Sequence, residues 1–123
     1  MASNKGVPET DEQHRVLKKK GEGIYFEFHY KCKCKNDADK EKLASIGKLY
    51  GAHTSRSAFK KDLDDGSFIN FLTLREYDMG KINAMAKFNL LLADLKENGF
   101  EVTGYEREYA VYDSNVDLDK GWL

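Results

Sequence analysis

The strict alternation of residues 24–34, IYFEFHYKCKC, constrains the fold more than any other feature of this sequence. One side of the segment carries Ile24, Phe26, Phe28, Tyr30, Cys32 and Cys34. The other side carries Tyr25, Glu27, His29, Lys31 and Lys33. A period of two over this length predicts a long β-strand with one buried face and one more polar face. The chain must therefore build a sheet that has its core on one side.

Two segments predict amphipathic helices. The first is residues 36–51, which start at Asn36 or Asp37 as the N-cap and stop at Gly51. Its apolar face carries Leu43, Ile46, Leu49 and Tyr50. The second is residues 80–98, where Asn98-Gly99 supplies the stop signal. Its predicted buried stripe consists of Ile82, Met85, Phe88, Leu92 and Leu95.

Three further strands complete the pattern, at residues 52–61, 67–77 and 100–113. Asp65-Gly66 is a strong hairpin signal between the first two of them. The last strand alternates in neither phase, which predicts a bulge at Gly104. The resulting order, β-α-β-β-α-β, predicts an α+β protein with the ferredoxin-like fold. We expect a four-stranded antiparallel sheet with both helices on one face, strands one and three in the centre, and the other face open.

Composition limits the number of domains and the kinds of partner. A chain of 123 residues with 41% hydrophobic residues suits one domain, which we place at residues 24–123. Residues 1–23 are predicted to be a flexible tail or a short frayed helix that Thr10 could cap. The formal net charge of -1 argues against a general attraction to nucleic acid or to an anionic membrane. The N-terminus has no apolar signal region, and two close cysteines suit reduced thiols, so we expect a cytoplasmic protein.

The motifs that could carry chemistry are incomplete in this sequence. Asp113, Asn115, Asp117 and Asp119 resemble a calcium loop, but Leu118 stands where that loop requires glycine. Cys32 and Cys34 point away from His29 in the predicted strand, so they do not form a zinc site with it. The His53-Thr54-Ser55 segment matches one half of a phosphate-binding arrangement that needs two such motifs. We therefore predict no catalytic residue, no metal site and no cofactor.

The open face of the predicted sheet is the candidate site. It mixes aromatic and charged side chains, and an arginine guanidinium can hold a phosphate or carboxylate with two hydrogen bonds. We expect Arg56 and Arg75 to hold a small anionic ligand, His29 and His53 to add donors, and Tyr77 or Tyr112 to flank a ring. The candidate ligand-binding residues are Arg56, Arg75, His29, His53, Tyr77, Glu106, Arg107 and Tyr112.

The C-terminal half also resembles a known group of sequences. The segments SRSAFKK, FLTLREY and EREYAVYDSNVDLDKGWL are similar to a small uncharacterised family of bacterial and phage proteins. Its members end in a pattern like E-R-E-[YF]-x-V-Y-D-S-N-x-x-L-D-x-G-W, and the similarity covers residues 24–123. The resemblance implies no activity. It places these residues on patterned positions: Arg56, Arg75, Glu106, Arg107, Glu108, Tyr112, Asp113, Ser114, Asn115, Asp119 and Trp122.

Several functions are compatible with these patterns. We predict a non-enzymatic domain whose open face binds an anionic, nucleotide- or phosphate-bearing ligand, or forms a homodimer. One alternative is a phosphodiesterase-like enzyme that uses His53 with a glutamate of the last strand, Glu106 or Glu108. Another is a module for single-stranded RNA that stacks bases on the aromatic side chains of the face. The exposed aromatics Tyr25, Phe71 and Tyr77 are the reason to expect homodimerisation.

Overall fold

Three helices and four strands make up the structure, a computed structural model that describes residues 7–19, 23–56 and 65–112. For residues 19, 23, 24, 56 and 110–112 it describes the backbone alone. The elements are α1 (Asp11–Lys19), β1 (Gly23–Cys34), α2 (Asp37–Leu49), β2 (His53–Arg56), β3 (Phe68–Glu76), α3 (Lys81–Glu97) and β4 (Glu101–Tyr112). The strands form one antiparallel sheet in the order β2-β3-β1-β4. The predicted α+β class and the central placement of strands β1 and β3 are confirmed, and α1 is a third helix.

Local signals set the element ends as the sequence predicted. The Asn36 side chain accepts a hydrogen bond from the Asp39 backbone N–H at 2.9 Å and so caps α2. Gly51 and Gly99 follow α2 and α3 with φ values of 74° and 86°, a conformation that other residues rarely adopt. Of the strand predicted at residues 52–61, the structure describes His53–Arg56 as strand β2, and residues 57–64 lie outside the described part.

Two predicted helix faces need correction. Leu49 is 81% exposed, because six residues after Leu43 at 100° each place it about 120° from the buried face of α2. In α3 the side chain of Ile82 is 59% exposed. The buried positions are Ala84, Phe88, Leu91 and Leu95, spaced by four, three and four residues. The predicted stripe was right at Phe88 and Leu95, but it favoured large side chains and so missed Ala84 and Leu91.

The chain contains two compact units, and several elements contribute to both. The described part of the first unit consists of residues 7–19, 23–27, 75–87 and 107–112. The second consists of residues 28–56, 65–74 and 88–106.

Helix α1 is bound tightly within the first unit. Thr10 and Gln13 form a reciprocal cap, in which the Gln13 N–H donates to Thr10 Oγ1 and Gln13 Oε1 accepts from the Thr10 N–H, both at 3.1 Å. His14 is 1% exposed, and its Nε2 lies 2.6 Å from the Tyr77 carbonyl oxygen. Asp11 accepts hydrogen bonds from the Gly80 N–H and from Asn83, both at 2.8 Å. These two donors, first Gly80 and then Asn83, lower the pKa of the Asp11 carboxyl below its usual value.

Backbone contacts reinforce the position of α1. The N–H of Lys81 donates to the Pro8 carbonyl at 2.7 Å, and the N–H of Ile82 donates to the Glu9 carbonyl at 2.9 Å. The segment before α1 thus binds amide groups at the start of α3, which have no partner inside their own helix. Gly80 permits this contact, because a Cβ atom at that position would overlap the carbonyl group of Thr10.

Aromatic rings form the centre of the second unit. The ring of Phe88 packs against Phe28 and Tyr30, each with centroids 5.0 Å apart, and meets the edge of Tyr105 at 5.1 Å. The Tyr30 hydroxyl donates to the Phe88 carbonyl at 2.9 Å, so this buried polar group is satisfied. Leu72 of β3 packs against Gly47 of α2, where a Cβ atom would come within 2.5 Å of it.

Candidate binding face

A row of three polar residues crosses adjacent strands of the second unit, and we call it the His–Thr–His row: His29, Thr73 and His53. His29 alternates with the core residues Phe28 and Tyr30 along β1, so it lies on the opposite side of the sheet. Its Nδ1 is 3.0 Å from the Thr73 hydroxyl oxygen on β3. His53 is the residue of β2 that stands directly opposite Thr73. The sheet therefore places a hydroxyl group between two imidazole rings.

Exposure differs along the row. Thr73 is 8% exposed, His29 is half-buried and His53 is exposed at the edge of the sheet. Ser55 follows His53 by two residues and pairs with Phe71, so it lies on the same face. The row therefore has its most buried member, Thr73, on β3, and solvent reaches it through His53 on β2.

The structure fixes the alternation of β4, which the sequence left open. In the second unit, Tyr105 packs on the core residue Phe88, while Glu106 lies 3.7 Å from Lys31 as an ion pair with both side chains about half exposed. In the first unit, Tyr109 packs on Phe26 with ring centroids 5.1 Å apart. The aromatic positions therefore face the core, and Glu106 faces the same side as Lys31. An exposed ion pair of this kind contributes little, about 0.2–1 kcal/mol.

A buried carboxylate, that of Glu27, lies on strand β1 in the first unit. Glu27 is 2% exposed, and its Oε1 lies 2.5 Å from Nε of Arg75. The Arg75 side chain is 44% exposed. A buried carboxylate needs such a partner, because transferring an isolated charge out of water is very costly. Arg75, which we predicted to hold an anion, thus forms an ion pair inside the protein.

The remaining predicted residues are dispersed. Arg56 lies three residues after His53 in β2 and pairs with Asn70. The side chains of Arg56 and Tyr112 lie outside the described part. Tyr77 is 50% exposed, and its ring lies 5.1 Å from that of Tyr25. Arg107 is exposed. The structure brings together His29 and His53 of the predicted set, and it adds Thr73.

Two observations concern the alternatives from the sequence. The sheet order puts β2 and β4 at opposite edges, three strand spacings or about 14 Å apart, so His53 is not adjacent to Glu106 of β4. Tyr25, one of the aromatics expected to be bare, is 3% exposed and cannot stack on a base.

The thiols on β1 are core groups. Cys32 and Cys34 are free, and both are fully buried. Burial raises the pKa of Cys32 to about 12 and that of Cys34 to about 11. Burial therefore favours the neutral thiol form of both residues at neutral pH.

Comparison with known proteins gives no relative from which to transfer a function. No protein family matches the chain, and neither a curated protein nor a solved structure matches it. The family resemblance of the C-terminal segment stays a prediction, and the calcium-like aspartates at residues 113–119 lie outside the described part. Among the described residues, no helix is long and apolar enough to cross a membrane.

Proposed function

We propose that this chain is a small non-enzymatic binding domain with a ferredoxin-like fold, and that its ligand carries a phosphate group. The observation that supports this proposal most is the His–Thr–His row, where a hydroxyl and two imidazoles lie on one face of three adjacent strands. The strand order β2-β3-β1-β4 supports the proposed fold, in which α1 would be an additional helix.

The chemistry of the row suits an oxyanion. An imidazole N–H or a hydroxyl donates a hydrogen bond to a phosphate oxygen, and a protonated imidazole adds charge. His29 and His53 stand on strands separated by β3, about 10 Å apart, so a phosphate group could bind between them over Thr73. The exposed position of His53 leaves the side of β2 open to a ligand.

A cyclic phosphodiesterase is the second candidate, and one observation favours it. The sequence contained only one histidine–hydroxyl pair, His53 with Ser55, but Thr73 gives His29 a hydroxyl partner from the next strand. Two such pairs could supply an acid and a base on either side of a phosphodiester. In this form of the hypothesis, His29 replaces the glutamate as the partner of His53.

Homodimerisation through the same face is the competing explanation for its exposed groups. Its strongest argument from sequence weakens because Tyr25 is buried, while Tyr77 remains half exposed. A dimer that covered the row would leave no room for a ligand, so binding and subunit number must be measured together.

Calorimetric titration with inorganic phosphate and with a nucleoside monophosphate tests the proposal. We expect saturable binding that His53→Ala weakens about ten-fold, which corresponds to the loss of one charge-assisted hydrogen bond of about 1.4 kcal/mol. Leu90→Ala is the matched control, because Leu90 is 63% exposed on α3, away from the row. An unchanged affinity in folded His53→Ala protein would show that the ligand does not bind here. Turnover of a cyclic phosphodiester by the wild type alone would favour the enzyme.

A further inference from the structure

One aromatic side chain of the second unit lies on the polar face of the sheet and not in the core. Phe71 pairs with Ser55 of β2 and precedes the buried Leu72, so it points to the side of the sheet away from the core. The Phe71 side chain is half-buried, and none of the described aromatic residues makes a ring contact with it. Because every nucleobase has a face that stacks on aromatic rings, an accessible ring of this kind is a platform for a base.

Phe71 lies one step from the His–Thr–His row. It precedes Thr73 by two residues on β3, which corresponds to about 6.8 Å along an antiparallel strand. A phosphate group that binds on the row beside His53 therefore has the Phe71 ring within the length of one nucleotide. We propose that the ligand is a nucleoside monophosphate whose base stacks on Phe71, an inference that rests on the proposed phosphate site.

The neighbours of Phe71 on both adjacent strands are polar. Ser55 of β2 is exposed and stands directly opposite Phe71. On the other side, β1 runs antiparallel to β3 and His29 contacts Thr73. This register places Lys31 beside Phe71. A hydroxyl and an ammonium group thus border the ring, and both can donate hydrogen bonds to the polar edge of a stacked base.

The charges around Phe71 favour a neutral ring there over a second phosphate group. Lys31 forms an ion pair with Glu106 at 3.7 Å, so this pair adds no net charge beside the ring. Proteins that bind single-stranded nucleic acid line their grooves with positive charge, whereas a further phosphate at this position would meet the Glu106 carboxylate. The ligand class is therefore a mononucleotide and not a polynucleotide.

Calorimetric titration of the full chain with adenosine monophosphate and with ribose 5-phosphate tests the inference, because the two ligands differ by the base alone. We expect the nucleotide to bind about ten-fold more tightly, which corresponds to about 1.4 kcal/mol. Phe71→Leu should abolish this difference, since it removes the stacking surface and keeps an apolar side chain. The matched control is Tyr105→Leu, which removes a 47% exposed ring of the same unit that packs on the core residue Phe88.

The outcomes separate this inference from the proposed function. Equal affinities for the two ligands, both still weakened by His53→Ala, would overturn stacking on Phe71 and leave the phosphate site standing. Binding of neither ligand, or binding that His53→Ala does not change, would overturn both. A base-dependent difference that survives in folded Phe71→Leu protein, or that Tyr105→Leu abolishes equally, would contradict the platform.

A second measurement on the wild-type protein needs no variant and decides the question if Phe71→Leu protein does not fold. We expect nuclear Overhauser effects between the base protons of bound adenosine monophosphate and the ring protons of Phe71. Their absence in the saturated complex would contradict the inference.

Discussion

Burial changes the chemistry of individual residues in this protein, and the two cysteines show the effect most directly. Their place in the alternation of β1 predicted core thiols, and both are fully buried. Because burial raises the pKa of Cys32 and Cys34, the folded protein holds them as neutral thiols.

Thiol labelling at pH 8 tests this environment. A pKa of about 11 leaves roughly 200-fold less thiolate at this pH than an ordinary pKa of about 8.5, so we expect the folded protein to react far more slowly than the protein in urea. As the pH rises from about 9 through the folded-state values of about 11 and 12, the unfolded chain ionises first and stability should fall. Equal labelling rates in both states would contradict buried thiols.

At the scale of elements, the sequence predicted the helices, strands and their ends better than the contacts between elements. The alternation of β1, the Asn36 cap and the glycine stops are local signals, and each matches the structure. The binding of α1 was not predictable, because it depends on contacts with residues more than sixty positions away. His14 and Asp11 look like ordinary polar residues of a charged segment until the start of α3 lies beside them.

Gly80→Ala tests the binding of α1. The new Cβ atom would overlap the Thr10 carbonyl group, so α1 must shift, and we expect a loss of about 1–3 kcal/mol in the free energy of unfolding. Urea denaturation measures it. The control is Gly104→Ala, where the nearest atom to a new Cβ would be the Lys31 Cδ at 3.6 Å, an ordinary contact. Equal effects of the two substitutions would mean that the contact with Thr10 does not hold α1.

At the scale of the molecule, topology assembles the candidate site. The order β2-β3-β1-β4 brings His29, Thr73 and His53 onto neighbouring strands, although they are separated by at least twenty residues in the sequence. The sequence predicted the two histidines as ligand residues but not Thr73, because nothing in FLTLRE distinguishes a threonine beside a histidine from one in contact with water. It also predicted that Arg75 would bind an anionic ligand. The sequence did not show that Glu27, 48 residues away, is its ion-pair partner inside the protein.

The histidine ring signals of the whole protein, recorded by ¹H–¹³C NMR during a titration with a nucleoside monophosphate, test the central claim most directly. The sequence has three histidines, and His14 is an internal reference because it is 1% exposed against the Tyr77 carbonyl. At constant pH and ionic strength, we expect His29 and His53 to shift together with one dissociation constant while His14 stays unchanged. Shifts of all three rings, or of none, would contradict a phosphate-binding His–Thr–His row.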